Sequence, residues 1–84
     1  MDNNWSVYIV RCSDGTFYTG VAKDIERRLH QHNNLSTGAK YTRTRRPVEL
    51  VYQEPAADRS MAQQREYQLR KLSAAQKRAL IARQ

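Results

Sequence analysis

Two runs of strand-forming residues, Val7-Tyr8-Ile9 and Phe17-Tyr18-Thr19, stand either side of Ser13-Asp14-Gly15, and that short turn constrains the rest of the chain. Aromatic and β-branched runs flanking Asp-Gly read as a β-hairpin. The length of the loop sets the register. A two-residue Asp14-Gly15 loop pairs Ser13 with Thr16 and sends Tyr8 and Tyr18 to opposite faces. A three-residue loop, with Gly15 left-handed as a bulge, pairs Cys12 with Thr16 and puts both tyrosines on one face. The same register gathers Trp5, Val7, Ile9, Phe17 and Val21 into a continuous apolar surface on the other side. The three-residue loop is therefore the expectation.

Strands are expected over Trp5–Arg11 and Phe17–Ala22, followed by a helix from Ile25 to about Asn33 with Asp24 as its N-cap. Ile25 and Leu29, four apart, anchor that helix to the sheet. Arg28 and His32, also four apart, lie on the rim of the same inward face, whereas Arg27 and His30 point elsewhere. On their own, Arg28 also reads as a snorkelling arginine and His32 as a helix-end cation on the macrodipole. Leu35 to Pro47 reads as a loop. A third strand, Val48–Glu54, is bracketed by Pro47 and Pro55, with Val48, Leu50 and Tyr52 alternating with Glu49, Val51 and Gln53. Asp58 or Ser60 caps the next helix, whose stripe is Met61, Ala62, Leu69 and Leu72, with Arg65 inside it and Glu66 at its border. A carboxylate there needs a partner: a nearby arginine or a hydrated cation. Ser73 caps a last helix, read as packing. The expected architecture is α+β: a small three-stranded, mainly antiparallel sheet flanked by helices in the order β-β-α-β-α-α.

Eighty-four residues form one domain, 1–84, with a core just large enough to fold without staples. The single cysteine, Cys12, reads as a strand-end thiol and fits a reducing compartment. No apolar run reaches the length of about 20 residues needed to span a bilayer. Met1-Asp2-Asn3-Asn4 lacks a basic n-region, so the expected location is the cytoplasm of a bacterium. Fifteen Lys+Arg against eight Asp+Glu give a formal charge of +7, which suggests a polyanionic partner. Lys40, Arg43, Arg45 and Arg46, with Tyr41 among them, form a candidate phosphate-tracking segment and equally a solvated loop. No pair of ligands has zinc spacing.

Val7-Tyr8-Ile9 and Tyr18-Thr19-Gly20, followed by Arg28 and His32 and later by Arg65-Glu66-Tyr67, resemble the GIY-YIG nuclease family from about Trp5 to Leu72. The likeness is greatest to its small stand-alone bacterial members. Val7-Tyr8-Ile9 stands for Gly-Ile-Tyr and Thr19 for Ile, so the spacing to Arg28, His32 and Glu66 carries the match. The resemblance implies a metal-dependent endonuclease of low sequence specificity, structure-selective cleavage and a link to DNA repair or recombination being open. It assigns Glu66 to a Mg²⁺-type (or Mn²⁺) ion that keeps most of its waters. It gives Arg28 to the scissile phosphate, and Tyr18 or Tyr8 to proton relay with His32 as the alternative base. Tyr8, Tyr18, Arg28 and His32 are thus the candidate catalytic residues. The implied partner is nucleic acid, most often DNA; the sequence leaves the oligomeric state open, with a monomer favoured. Some members carry a lysine after the second tripeptide, where this chain has Val21, which removes a cation beside Tyr18. A non-catalytic nucleic-acid-binding module of the same fold is the alternative, and a protein-interaction adaptor using the apolar outer residues of the last helix is a third reading.

Overall fold

The computed structural model describes residues 4–35 and 38–83. Met1, Asp2 and Asn3 of the leading segment, and Ser36 and Thr37 of the expected loop, lie outside the described residues. The elements are β1 (Trp5–Arg11), β2 (Phe17–Ala22), α1 (Ile25–Asn34), α2 (Lys40–Arg43), β3 (Glu49–Ala56), α3 (Arg59–Arg70) and α4 (Ala74–Ala82). The strands form one antiparallel sheet in the order β2-β1-β3.

The hairpin takes the three-residue loop. The Cys12 N–H donates to the Thr16 carbonyl at 2.8 Å and the Gly15 N–H to the Cys12 carbonyl at 2.9 Å. Gly15 has φ 85, a left-handed value that glycine adopts without steric cost. Asp14 Oδ1 completes the turn by accepting the Thr16 N–H and the Thr16 hydroxyl. Tyr8 pairs with Gly20 and Val10 with Tyr18, so both tyrosines share a face.

Both faces of the sheet are covered. On the tyrosine face Tyr8, Val10, Cys12, Ala22 and Val48 form one buried cluster, closed by Ile25 and Leu29 of α1. On the other, Val7 and Ile9 pack with Ala62 and Leu69 of α3 and with Leu80 and Ile81 of α4. Asp24 and Asp58 cap α1 and α3, and Ser73 with Gln76 forms a capping box on α4. Leu80 and Ile81 of the last helix are partly buried against the core.

Four details differ from the sequence reading. The third strand runs Glu49–Ala56, not Val48–Glu54, so Pro55 lies inside it, opposite Ser6. An edge strand accepts proline because its outer backbone groups have no ladder partner to lose. The register shifts between Ile9, paired with Tyr52, and Val10, paired with Leu50, which leaves Val51 as a bulge. The bulge cancels the simple alternation: Leu50 packs on the tyrosine face, whereas Val51 and Tyr52 pack on the opposite one. Met61, placed in the apolar stripe of α3, is 51% exposed, whereas the neighbouring Ala62 is fully buried. The segment read as loop contains α2, one helical turn whose Thr42 is fully buried.

Candidate active site

Helix α1 lays Arg28 and His32 across the tyrosine face, as their four-residue spacing requires. His32 is fully buried. Its Nε2 lies 2.7 Å from the Tyr8 hydroxyl and its Nδ1 2.9 Å from Thr42 Oγ1. The Ala39 carbonyl lies 2.9 Å from the same Thr42 hydroxyl, and the Ala39 N–H reaches Nδ1 at 3.4 Å. Both ring nitrogens of His32 are thus engaged. A single polar chain, Tyr8–His32–Thr42–Ala39, thus runs through the layer between sheet and α1.

Burial sets the charge states along this chain. Desolvation pushes the Tyr8 hydroxyl up to about 12, although the nearby Arg28 guanidinium pulls it down. Burial, with Arg28 and Arg46 adding to it, depresses His32 from 6.5 to about 4. Both groups are neutral at pH 7. The reading of His32 as a helix-end cation is thereby corrected: it is close to the C-terminus of α1, but no water reaches it to stabilise a charge. The last carbonyls of α1 are satisfied instead by Arg46, which donates to His32 O and Leu35 O.

Tyr18 is only half-buried. Its ring meets His32 edge-on, with centroids 5.3 Å apart, and stacks on Tyr41 at 6.0 Å and 21°. Arg45 lies over the Tyr41 ring at 3.9 Å and pairs with Asp14 at 3.0 Å. A column of groups thus ties the hairpin turn and α2 to the histidine.

Gly20 is fixed by Tyr8. A Cβ built on Gly20 would sit 2.5 Å from the Tyr8 hydroxyl oxygen and 2.7 Å from Cζ. The ring passes directly over the strand, and only hydrogen fits beneath it.

Arg28 donates to Gln31 Oε1 at 2.8 Å and stands near enough to Tyr8 to influence its ionisation. Glu66 acts on the same hydroxyl from α3, raising its pKa, which places the carboxylate within electrostatic reach of the cluster. The Glu66 side chain is 18% exposed and pairs with Arg70 at 3.0 Å, whose side chain is 60% exposed. The arginine partner weighed from the sequence is therefore present. Arg65, inside the expected stripe, pairs instead with Glu54 at 2.8 Å. Beside Arg70 lies a cleft of about 290 Å³ lined by Phe17, Tyr18, Thr19, Tyr41, Arg70 and Lys77. Thr19 is 4% exposed, and among the described residues its hydroxyl has no hydrogen-bond partner.

The structure thus brings Tyr8, Tyr18, Arg28 and His32 together, with Glu66 approaching from the opposite helix layer. The basic segment divides. Arg45 and Arg46 are occupied by Asp14 and by helix carbonyls, whereas Lys40 and Arg43 are exposed. Thr42, Thr19 and Asn33 were missed in the sequence. Asn33 clamps α1 to the start of the third strand, donating to Val48 O and accepting the Val48 N–H. A lone threonine or asparagine carries no periodic signal; only a His facing a loop hinted that a polar partner was needed.

A family model described as the GIY-YIG catalytic domain matches residues 4–79. The chain belongs to the GIY-YIG family. It is 54% identical over 77 residues to a UPF0213 protein of Desulfotalea psychrophila, covering 92% of this chain and 70% of that one. To a UPF0213 protein of Staphylococcus saprophyticus it is 52% identical over 82 residues, covering 98% of each. Its fold is similar to the solution NMR structure of an E. faecalis protein, with a TM-score of 0.63, 41% identity, and 98% and 88% of the two chains covered. That of the UPF0213 protein BH0048 from Bacillus halodurans gives 0.58 at 38% identity, with 93% and 82% covered. GIY-YIG domains are generally endonucleases that use divalent metals and bind nucleic acid, so membership suggests a nuclease. Among the described residues no helix is long and apolar enough to cross a membrane.

Proposed function

We propose that this chain is a single-domain, metal-dependent endonuclease that hydrolyses phosphodiester bonds in DNA with low sequence specificity. The observation that carries the reading is the buried chain from Tyr8 through His32 to Thr42, which holds Arg28 and Tyr18 around one point at the β2 edge. A polar chain of this kind is costly to bury, and apolar residues would pack the same layer more simply.

Burial divides the roles. His32 is fully enclosed with both ring nitrogens engaged, so it is a positioning residue and not the base. Tyr8 is 2% exposed and has its hydroxyl bonded to His32, which makes it the strut between strand and helix. Tyr18 lines the open cleft and is the hydroxyl an attacking water can reach. It would take the water's proton as its own passes to a phosphate oxygen, so the exchange balances. Arg28, oriented by Gln31, would hold the non-bridging oxygens and stabilise the charge that grows on them.

The donor set fits a Mg²⁺-type ion. Glu66 supplies one hard carboxylate, and its partner Arg70 is exposed enough to turn away. The orphaned Thr19 hydroxyl lines the same cleft as Arg70 and offers a second-layer partner for coordinated water. Among the described residues there is no cluster of three acidic, histidine or cysteine ligands, consistent with an ion held through one carboxylate, waters and substrate. When bound, the ion would polarise the phosphate and help the leaving oxygen.

The Glu66–Arg70 pair also favours a second reading, a binding module in which the carboxylate has only a structural partner. Cleavage of single-stranded, duplex, nicked and branched DNA and RNA, with and without Mg²⁺ or Mn²⁺, separates the two. The nuclease predicts metal-dependent nicking that Tyr18→Phe removes with little change in binding. Binding without cleavage of any substrate would leave the module, and full activity in Tyr18→Phe would reject the proposed relay.

A further inference from the structure

Strand β2 lies at the edge of the sheet. The Cys12–Thr16 bond fixes which pairs on the hairpin face each other, and by alternation Phe17, Thr19 and Val21 turn their backbone N–H and C=O groups away from β1, toward the open edge. One end of this edge carries the cleft beside Tyr18 and Arg70. At the other end lies a second cleft, of about 380 Å³, lined by Trp5, Val21, Lys23, Arg27, Arg28 and Gln31 among others. Gly20, with the Tyr8 hydroxyl above it, falls between the two.

The second cleft combines an aromatic plane with cations. The Lys23 ammonium sits 5.7 Å from the Trp5 ring centroid and the Arg59 guanidinium 5.9 Å from it. Both are near the outer limit of a cation–π contact, so either side chain can swing off the ring at small cost. Arg27 is exposed. The acidic residue in the cleft, Asp24, is held at the N-terminus of α1, where its carboxylate accepts the Arg27 N–H. Arg28 belongs to this cleft and to the Tyr8 cluster at once, so whatever fills the cleft lies next to the point where the scissile phosphate is placed.

We propose that the Trp5 cleft is a nucleotide subsite, in which one unpaired base of a nucleic-acid strand stacks on Trp5 while Lys23 and Arg27 take the flanking phosphates. The inference rests on the reading of Arg28 as a phosphate ligand and extends it by naming where the strand runs: along the β2 edge, from the Trp5 cleft past Arg28 and Gly20 to Arg70 and Lys77. A paired base has both its faces inside the duplex stack, so the subsite selects single-stranded or locally opened nucleic acid. Stacking of this kind tolerates any base.

Trp5 is the one tryptophan in the chain, which makes its fluorescence a direct reporter. The protein is titrated, in chelator and without added metal, with oligothymidylate, with oligouridylate and with a blunt duplex of equal length; anisotropy of a labelled strand measures binding separately. Single strands should quench Trp5 on binding and the duplex should not; DNA and RNA arms show whether the sugar matters. Lys23→Gln with Arg27→Gln should weaken single-strand binding roughly tenfold and lower the salt slope by about 1.4, two contacts at about 0.7 each. Arg11→Gln, whose side chain pairs with Glu49 across the sheet from β2, should change neither. Trp5→Phe should weaken single-strand binding several-fold with an unchanged unfolding midpoint. Should Trp5→Phe lower the midpoint, the Lys23→Gln/Arg27→Gln variant still decides the matter.

Saturating single-strand binding with silent Trp5 fluorescence, or wild-type affinity in the Lys23→Gln/Arg27→Gln protein, would overturn the subsite. Cleavage accompanied by a silent Trp5 rejects the subsite alone. Quenching without cleavage under any metal rejects the nuclease reading and leaves the subsite standing.

Discussion

Gly20→Ala is a one-carbon perturbation whose consequences can be worked from the coordinates. The new methyl would lie 2.5 Å from the Tyr8 oxygen, 2.7 Å from Cζ and 3.1 Å from Cε2. Tyr8 is 2% exposed and bonded to His32 at 2.7 Å, so it has no free space in which to retreat. To reach ordinary contact the hydroxyl must move by about 1 Å, and overpacking of this size costs about 1–3 kcal/mol. Breaking the Tyr8–His32 bond adds about 1–3 kcal/mol for the buried group left without a partner. The lower backbone entropy of alanine in the unfolded chain returns about 0.5–1 kcal/mol. A net loss of about 1–5 kcal/mol is expected in urea unfolding. Misplacement of about 1 Å at the cluster should also cost roughly 10²-fold in cleavage rate.

The decisive experiment is a double-mutant cycle with Tyr8→Phe. Phenylalanine removes the oxygen and with it the 2.5 Å contact, so Gly20→Ala should cost less in that background. The His32 ring nitrogen shifts, read by NMR, should change in Gly20→Ala in the same sense as in Tyr8→Phe. Equal cost in both backgrounds, with unmoved His32 shifts, would refute the view that Gly20 is needed to clear the Tyr8 hydroxyl.

Three further outcomes follow from the geometry. His32 is held neutral, its pKa depressed from 6.5 to about 4, so the fold keeps the full benefit above pH 6.5 and loses about 3 kcal/mol as the pH falls to 4; urea midpoints over that range should fall in the wild type and flatten in His32→Gln. Thr19→Val removes an orphaned hydroxyl and should stabilise the protein by about 1 kcal/mol, while lowering metal-dependent cleavage if the hydroxyl serves coordinated water; gain of stability with full activity would dismiss that role. Arg46→Gln should lose about 1–3 kcal/mol, because His32 O and Leu35 O lose their charged donor, whereas Arg43→Gln should leave stability alone and lower the salt slope of duplex binding by about 0.9.

What the sequence made legible is what repeats with a period. The hairpin register followed from Asp14-Gly15 and the alternation of apolar residues, and it placed Tyr8 and Tyr18 on one face before any helix was considered. The four-residue spacings of Ile25 with Leu29 and of Arg28 with His32 placed α1 on that face. The bulge at Val51 was hidden, because a single inserted residue in a run of apolar side chains leaves every one of them plausible on either face. The turn of α2 was hidden too. Four residues are too few for a helical period, and its purpose is a hydrogen bond between Thr42 and His32 rather than an apolar contact. The assignment of Arg45 and Arg46 to phosphates followed from charge alone, which cannot distinguish a cation waiting for a ligand from one already holding Asp14 or a helix end.

The same polar chain serves the stability and the proposed chemistry, and the two demands meet at Arg28. Its charge disfavours protonated His32 and so helps keep the imidazole neutral beside Tyr8. A phosphate arriving beside Arg28 would offset that charge locally while leaving the burial of His32 unchanged, and burial is the larger cause. The strut therefore keeps its protonation state as substrate binds, so Tyr18 and the cleft change their surroundings while the ring that positions them does not. That separation explains why the half-buried tyrosine, rather than the fully buried one, is suited to moving a proton.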